Sequence, residues 1–312
     1  MTQEKKKPDY SGLKDTDPII SYEQSEEAEL AELNSVWDNI VNTFKKSPLA
    51  LIGTTIILII VLGAVFAPLI CPYDPYVQDL PNALAKPSTE HLLGTDSFGR
   101  DLFTRIVYGA RISLIIGLIP SMIAIVIGAV MGLMAGFLGK TADFIIMRIA
   151  DIVLSFPSLL LAMVIMYTLG ASLLNLFIAL SVINWGVTAR TVRAQTLQLR
   201  EKEFVEAARS VGVKKSTIMF RHILPNCIPS LIVIFTLDIP DAIMSEASLS
   251  FLGVGAKPPA ASWGLMVSEN KDNLTRAPWV AIFPGIAIML LVLAFNFVGD
   301  AMRDALDPTL RQ

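Results

Sequence analysis

Long apolar runs separated by polar stretches dominate this chain. A helix needs about 20 mostly apolar residues to cross a bilayer core about 30 Å thick, because each residue adds about 1.5 Å. Segments of this kind lie at residues 49–70, 112–137, 144–169, 173–189, 228–250 and 279–298. Each is predicted to be helical, since backbone groups in lipid must form their hydrogen bonds within the segment. The pattern predicts an all-α integral membrane protein with six transmembrane helices.

The start of the chain has a different character. Residues 1–47 carry six lysines and ten acidic residues and contain no apolar run, so no cleavable signal is predicted. The end of this segment predicts a short amphipathic helix at the membrane interface, with an apolar face of Val36, Ile40, Val41 and Phe44. We divide the rest of the chain into a first span with an external loop, 48–111, and a core of five spans, 112–312.

The distribution of lysine and arginine predicts the orientation of the spans. Basic residues are enriched in the cytoplasmic loops of membrane proteins. The densest basic stretch is 190–227, which holds Arg190, Arg193, Arg200, Lys202, Arg209, Lys214, Lys215 and Arg221. The loop 71–111 holds four basic residues but also five acidic ones. We therefore expect 190–227 to be a cytoplasmic loop, with both termini inside and 1–47 as a polar cytoplasmic tail.

Composition supports a membrane protein and narrows the classes of function. Of the 312 residues, 53% are hydrophobic and 17% are charged, whereas about 25% are charged in soluble domains. A formal net charge of −3 gives no reason to expect a nucleic acid partner. Cys71 and Cys227 are predicted on opposite sides of the membrane, so we expect neither a disulfide nor a metal site. The sequence shows no HExxH motif and no Ser/His/Asp set that would support a membrane enzyme.

The predicted cytoplasmic loop contains the polar stretch "EFVEAARSVGVKKSTIMFRHILPN", residues 203–226. Gly212 is suited to end a first helix, because glycine tolerates the left-handed conformation. A second helix is predicted from Ser216 to Leu224, with Pro225 as its stop. The sequence therefore predicts a compact helix–turn–helix that projects from the bilayer as a docking element.

Two glycine-containing motifs lie in the second span or directly after it, and they have different interpretations. Residues 139–141 read "GKT", but a phosphate-binding loop needs a further glycine where this chain has Met134. Nucleotide binding by this chain is therefore not expected, and any ATP must be handled by a partner. Gly128, Gly132 and Gly136 are four residues apart and predict close helix packing, either within the subunit or against a second subunit.

Charged residues and prolines inside the spans are the remaining candidates for a role in structure or transport. Arg148 and Asp151 are three residues apart and are predicted to pair on one helix face as a structural contact. Prolines inside the apolar segments predict kinks, which suit helices that move; they are Pro120, Pro157 and Pro240.

Two acidic residues are predicted near the bilayer midplane. Asp238 lies about ten residues into the fifth span, about 15 Å deep at helical rise, and Asp241 follows about one turn later. A charge at this depth costs roughly 2.5–3.5 kcal/mol on insertion scales, so we expect these side chains to face a polar cavity or to be paired. With Glu246 they are the candidate lining of a translocation cavity. The alternatives are pairing with a base on a second subunit, or neutral carboxyl groups.

Several stretches resemble the binding-protein-dependent permeases of ABC importers. "EAARSVG" followed by "ILPN" resembles the EAA loop of that family, through Glu206, Ala207, Ala208, Gly212, Ile223, Leu224 and Pro225. Residues 91–114 resemble the external loop of the C-type permease of dipeptide and oligopeptide importers, with the signature Gly94, Thr95, Asp96, Gly99, Arg100 and Asp101. "EASLSFLGVGAKPPAASWG" (246–264) and "DALDPTLR" (304–311) resemble the same subfamily.

The resemblance implies an architecture, a location and a set of partners. The spans would adopt the type I ABC importer permease arrangement, N-in and C-in, as a multi-pass protein of the bacterial cytoplasmic membrane. A homologous B-type permease, two cytoplasmic ATPase subunits that bind ATP and Mg²⁺, an external peptide-binding protein and a peptide substrate would complete the system. The EAA loop would dock into an ATPase groove, and this chain would bind no cofactor.

Two other functions stay open at this point. Nickel importers share much of the signature, so a nickel permease is an alternative to a peptide permease. A different class is an ion-coupled secondary transporter that uses Asp238 and Asp241 as proton or cation sites. Such transporters usually show inverted repeats, and the six spans show no repeat.

Overall fold

The structure, a computed structural model, describes residues 38–258 and 260–306. Its main helices are α1 (Pro48–Val65), α2 (Leu102–Leu138), α3 (Lys140–Ser155), α4 (Ser158–Leu169), α5 (Leu173–Leu199), α6 (Glu203–Ser210), α7 (Leu224–Phe251), α8 (Trp263–Asn270) and α9 (Trp279–Leu306). Within the described residues, β-type pairing is confined to one bridge between Thr95 and Asp101. The prediction of an all-α protein is confirmed.

The number of membrane crossings depends on one bent pair of helices. Five described helices are long and apolar enough to cross a membrane, when the helical run Lys215–Phe251 is counted as one. The helices α3 and α4 make a sixth crossing if the pair spans the bilayer together, although they meet at an angle of 94°. The predicted span 144–169 is therefore not one straight helix, because it is broken at Pro157, one of the predicted kink points.

Proline chemistry explains the break between α3 and α4. Phe156 adopts an extended backbone conformation, as residues before proline usually do, and Pro157 follows with no N–H to donate. Pro120 and Pro240, in contrast, lie inside helices that continue on both sides. Of the three predicted kink points, Pro157 thus marks a break in the backbone helix.

Several helices extend beyond the apolar segments. The helix α2 begins at Leu102, because the Asp101 carboxylate caps it by accepting the Thr104 N–H at 2.8 Å. The helix α5 continues to Leu199. Residues 102–111 and 190–199, which were predicted to be loop, are therefore helical, since a helix ends at its caps and not at the membrane surface.

The ends of the chain are described only in part. Residues 38–46 are helical, in agreement with the predicted amphipathic helix, while Val36 lies outside the described residues. At the other end the description stops at Leu306, so most of the stretch 304–311 lies outside it.

The glycine stripe on α2 packs against α5 within this subunit. A Cβ atom built at Gly132 would lie 2.5 Å from the Ala189 carbonyl oxygen, and one at Gly128 would lie 2.7 Å from the Trp185 carbonyl oxygen. Only glycine allows two backbones this close. The interpretation as packing within the subunit is confirmed, and α2 and α5 form the centre of the fold.

The other spans pack around this pair. The helix α7 lies against α2 through Ile239 and Ile243, and α1 lies against α9, where a Cβ atom at Gly53 would be 2.7 Å from the Ala294 carbonyl oxygen. The side chain of Trp263, the first residue of α8, is buried in the core. Its indole N–H donates to the Ile106 carbonyl at 2.8 Å. The short helix α8 is thus held on the outer ends of the spans.

Candidate functional site

The cytoplasmic knob, defined here as residues 200–226, carries the predicted coupling residues. Its helix α6 is exposed almost all around. Glu206 and Ala207 are exposed and Ala208 is half-buried. Val205 is fully buried, where it packs with Ile218, Met219, Ile223 and Cys227. Val205 thus anchors α6 from its buried side, and the exposed face with Glu206 and Ala207 is available to a partner.

The turn after α6 has the geometry expected for a glycine at this place. Gly212 has φ +80°, which a residue with a Cβ atom adopts only with strain. Its N–H donates to the Arg209 carbonyl at 3.0 Å, and the Val213 N–H donates to the Ala208 carbonyl at 3.0 Å. These two bonds form the Schellman motif that satisfies the last carbonyls of a helix.

The second half of the knob differs from the prediction. Residues Lys215–Thr217 begin a helix, Ile218–Ile223 form a wide π-type turn, and the helix then continues as α7. The Leu224 N–H donates to the Met219 carbonyl, one residue further back than in an α-helix. Pro225 lies in the first turn of α7, where a missing N–H costs little. The prediction that Pro225 ends the helix is therefore wrong.

Two arginines hold the knob against the cytoplasmic end of α2. The Arg200 guanidinium donates to the Gly136 carbonyl at 3.0 Å. The Arg209 guanidinium lies 5.2 Å from the ring centroid of Phe137, which is cation–π geometry. The knob is therefore connected by contacts to α2 and by the backbone to both α5 and α7.

The external signature forms a buried ionic network. The Asp96 carboxylate accepts the Arg100 Nε–H at 2.6 Å, and the Arg100 Nη2–H donates to Glu269 in α8 at 2.8 Å. Arg105 is fully buried beside the same two carboxylates and donates to the Pro75 carbonyl at 3.0 Å. The network ties the outer loop to α8, because a buried charge must be paired.

The remaining signature residues shape the loop around this network. Thr95 accepts the Ala85 N–H at 2.8 Å, and Asp101 contacts His91 Nδ1 at 2.9 Å. Gly94 has φ +80°. At Gly99 a Cβ atom would collide with the Asp79 carbonyl oxygen. The signature is therefore a set of loop-building residues, and its position gives them a role in the shape of the outer face.

The acidic residues of α7 have different surroundings. Asp238 is half-buried and its Oδ2 atom has no hydrogen-bond partner among the described residues, whereas Asp241 is exposed on this subunit. Glu246 is only 2% exposed and accepts hydrogen bonds from Ser250 and Ser262. Glu246 thus holds the outer turn and faces no open cavity, so its assignment to the translocation cavity is corrected.

Other polar contacts were missed at the sequence level. Arg105 and Glu269 complete the outer network, although the sequence separates Glu269 from Asp96 by most of the chain. Asp143 and Arg193 form a two-point ion pair between α3 and α5. The predicted Arg148–Asp151 pair is present at 3.6 Å, and Asp151 also accepts from Arg190 at 2.7 Å. For Asp143 and Arg193, a charge beside an apolar segment was the available signal.

Comparison with protein families assigns most of the chain. Residues 124–312 match the family described as binding-protein-dependent transport system inner membrane component. The chain belongs to this family. Residues 35–87 also match the N-terminal transmembrane domain of oligopeptide transport permease C.

Similar proteins have names that agree with this assignment. The dipeptide transport system permease protein DppC of Alkalihalophilus pseudofirmus is 46% identical, over 89% of this chain and 91% of its own length. The oligopeptide permease OppC of Bacillus subtilis is 44% identical over the same shares. The glutathione permease GsiD of Pectobacterium atrosepticum is 42% identical, over 88% of this chain and 92% of its own length.

A solved structure shares the fold. A chain of the MetNI methionine ABC transporter in an inward-facing conformation matches with a TM-score of 0.53 and 20% identity, and the match covers 65% of this chain and 96% of that chain. The fold, the family match and the names of the relatives agree with one another. The protein is therefore a multi-pass membrane permease of an ABC importer. The alternative of an ion-coupled secondary transporter is not supported.

Proposed function

We propose that this chain is the C-type permease of an ATP-driven importer of dipeptides or oligopeptides in the bacterial cytoplasmic membrane. It would form half of the translocation pathway beside a homologous B-type permease. Two ATPase subunits would supply ATP hydrolysis with Mg²⁺, and an external binding protein would deliver the peptide. The names of the relatives at 46% and 44% identity support this substrate class.

The exposed helix α6 is the observation that carries the coupling part of the proposal. Phe204 is 41% exposed and Val211 is 84% exposed. Both side chains are apolar, although they belong to a segment that is predicted to face water. Apolar side chains grouped on a projecting knob indicate a protein partner. The partner in this proposal is an ATPase subunit, whose groove would receive α6 with Glu206 and Ala207 at its surface.

The mechanism follows from the connections of the knob. When ATP closes the two ATPase subunits, they would displace α6, and α6 would pull on α5 and α7 because both are joined to it by short segments. The pathway would then change from inward-open to outward-open and receive the peptide. This cycle requires that ATP binds the two states with different affinity.

The midplane acids belong to the same proposal. Asp238 and Asp241 would line the pathway and attract the ammonium group of a peptide. The Oδ2 atom of Asp238 is buried without a hydrogen-bond partner among the described residues, which supports this role, because a polar atom at this depth needs a partner in some state of the transporter.

Cross-linking tests whether α6 contacts an ATPase. Cys71 and Cys227 are first replaced by alanine, and a single cysteine is then placed by Ala207→Cys in the assembled transporter. We expect a cross-link to an ATPase subunit whose yield changes with ATP. The matched control is Leu92→Cys in the exposed outer loop, which should give none. If the cysteine at position 207 captures no nucleotide-hydrolysing subunit, the coupling proposal is wrong.

A further inference from the structure

The half-helix α3 has only a small apolar contact with the rest of the subunit. Along α3, which is described throughout, burial is confined to Ile146 and Ala150. They pack in a cluster with Trp185 and Ala189 of α5. The opposite face of α3 is apolar and exposed, with Phe144, Ile145, Ile149 and Ile152. One buried isoleucine and one buried alanine supply only limited hydrophobic stabilisation for a helix of 16 residues, so polar contacts can add to the positioning of α3.

Two ion pairs flank this small contact and connect α3 to α5. The Asp143 carboxylate accepts from Arg193 Nε–H at 2.5 Å and from Nη2–H at 2.7 Å. About two helical turns further along α3, Asp151 accepts from Arg190 at 2.7 Å. A two-point contact between guanidinium and carboxylate fixes direction as well as distance. We call these two pairs the α3–α5 clasp.

The two pairs of the clasp differ in strength. The side chains of Asp143 and Arg193 are 22% and 33% exposed, while those of Asp151 and Arg190 are 44% and 50% exposed. Exposed ion pairs contribute little to stability. The Asp143–Arg193 pair is therefore the main element of the clasp, and the Asp151–Arg190 pair limits rotation about it.

The clasp lies on the part of α5 that leads to the knob. After Arg193 the helix continues to Leu199, and α6 begins at Glu203. The glycine stripe packs α5 tightly against α2, and we therefore expect α5 to move with α2 and with the knob that follows it. On its other side, α3 is separated from α4 by the Phe156–Pro157 break, so the backbone does not force α3 to follow α4.

We propose that the clasp makes α3 move with α5, so that displacement of α6 by the ATPase is passed to this half-helix. Asp143, Arg193, Asp151 and Arg190 are thus positioning residues for transport. This inference rests on the proposed function and deepens it, because it names a route from the knob to the bent span. Without the clasp, α3 would lag behind α5 and ATP hydrolysis would be poorly coupled to import.

Import per ATP hydrolysed is the quantity that tests the clasp. The variants are Asp143→Asn, Arg193→Gln and the charge swap Asp143→Arg with Arg193→Asp, each in the complete transporter in proteoliposomes. We expect each single variant to lower import per ATP by about threefold to tenfold, which corresponds to a coupling free energy of about 1 kcal/mol. The charge swap should restore a large part of the lost import per ATP. The control Arg276→Gln, at an exposed position outside α3 and α5, should leave the ratio unchanged.

A distance measurement separates positioning from simple stabilisation. Spin labels at the exposed positions Ile149 and Val187 report the distance between α3 and α5. The distance should be the same with and without ATP in the otherwise unaltered chain, and should change with ATP in Asp143→Asn. A constant distance in both would overturn the inference.

The transport measurements also distinguish a failure of the clasp proposal from a failure of the proposed function. Single variants that lower import and ATP hydrolysis in the same proportion, or a swap as impaired as the single variants, would contradict the clasp. Failure of the unaltered transporter to use ATP for import would instead refute the proposed function. The two failures are therefore distinguishable.

Discussion

At the scale of single residues, close packing by glycine decides how the central helices meet. The stripe Gly128, Gly132 and Gly136 was visible as a spacing, but the sequence left open whether it faces this subunit or another. The structure answers through distances to the α5 backbone. Such a contact cannot be assigned from one sequence, because the spacing is the same whichever helix fills the groove.

Gly132→Ala should destabilise the subunit. The new Cβ atom would lie 2.5 Å from the Ala189 carbonyl oxygen and 2.8 Å from Val192 Cβ, so the backbones must separate. We expect a loss of about 1–3 kcal/mol in the free energy of unfolding, seen as a lower Tm in detergent. The control is Gly63→Ala in α1, where a Cβ atom would have no atom of another described helix within 4 Å. Equal Tm values for the two variants would contradict this packing.

The acidic residues show a second limit at this scale. The sequence located Asp238, Asp241 and Glu246 on one span, but it did not show that Ser262, in the connection before α8, binds Glu246. The outer signature is similar, since its residues were recognised while their partner Glu269 was not. Partners that are distant along the chain are brought together only by the fold.

Replacing both midplane acids tests their role in the pathway. In Asp238→Asn with Asp241→Asn we expect import of a dipeptide with a free ammonium group to fall by about tenfold, because an unscreened charge contact is lost. Import of the N-acetylated dipeptide should change little. The control Asp272→Asn replaces an acid outside the spans. Equal import of both peptides by the double variant and the parent would remove these residues from substrate contact.

At the scale of elements, hydropathy locates the spans well and their ends poorly. The six apolar segments all contain helix, but α2 begins ten residues earlier and α5 ends ten residues later than the predicted segments. Hydropathy reports which residues face lipid or the core, whereas helix ends depend on caps such as Asp101. The wide turn before Pro225 was missed for a related reason, because a π-type turn has no distinct sequence signal.

The bend between α3 and α4 should depend on Pro157. In Pro157→Ala the backbone regains an N–H and Phe156 can become helical, so the 94° bend should open. Spin labels at the exposed positions Ile149 and Val164 should then move apart. Pro284→Ala, within the continuous helix α9, is the control and should leave that distance unchanged. An unchanged bend in Pro157→Ala would show that packing, and not proline, holds it.

At the scale of the whole molecule, the fold places the outer ionic network and the knob at opposite ends of α2. The spans gather around α2 and α5, the ionic network orders the outer face, and the knob projects at the other end of α5. The family assignment makes the protein a permease of an ABC importer. In our account, the work of ATP enters through α6 and reaches the spans through α5, α7 and the clasp.

Peptide uptake by reconstituted transporter tests this account most directly. Proteoliposomes holding this chain, its partner permease and the ATPases are given binding protein, labelled dipeptide and either ATP or a proton gradient. We expect accumulation with ATP alone and a fall of about tenfold in Glu206→Lys, because a docking contact worth about 1.4 kcal/mol is lost. The control Asp304→Lys, at an exposed position in α9 outside the knob, should give near-normal uptake. Uptake driven by the proton gradient without ATP, or unaffected by Glu206→Lys, would contradict it.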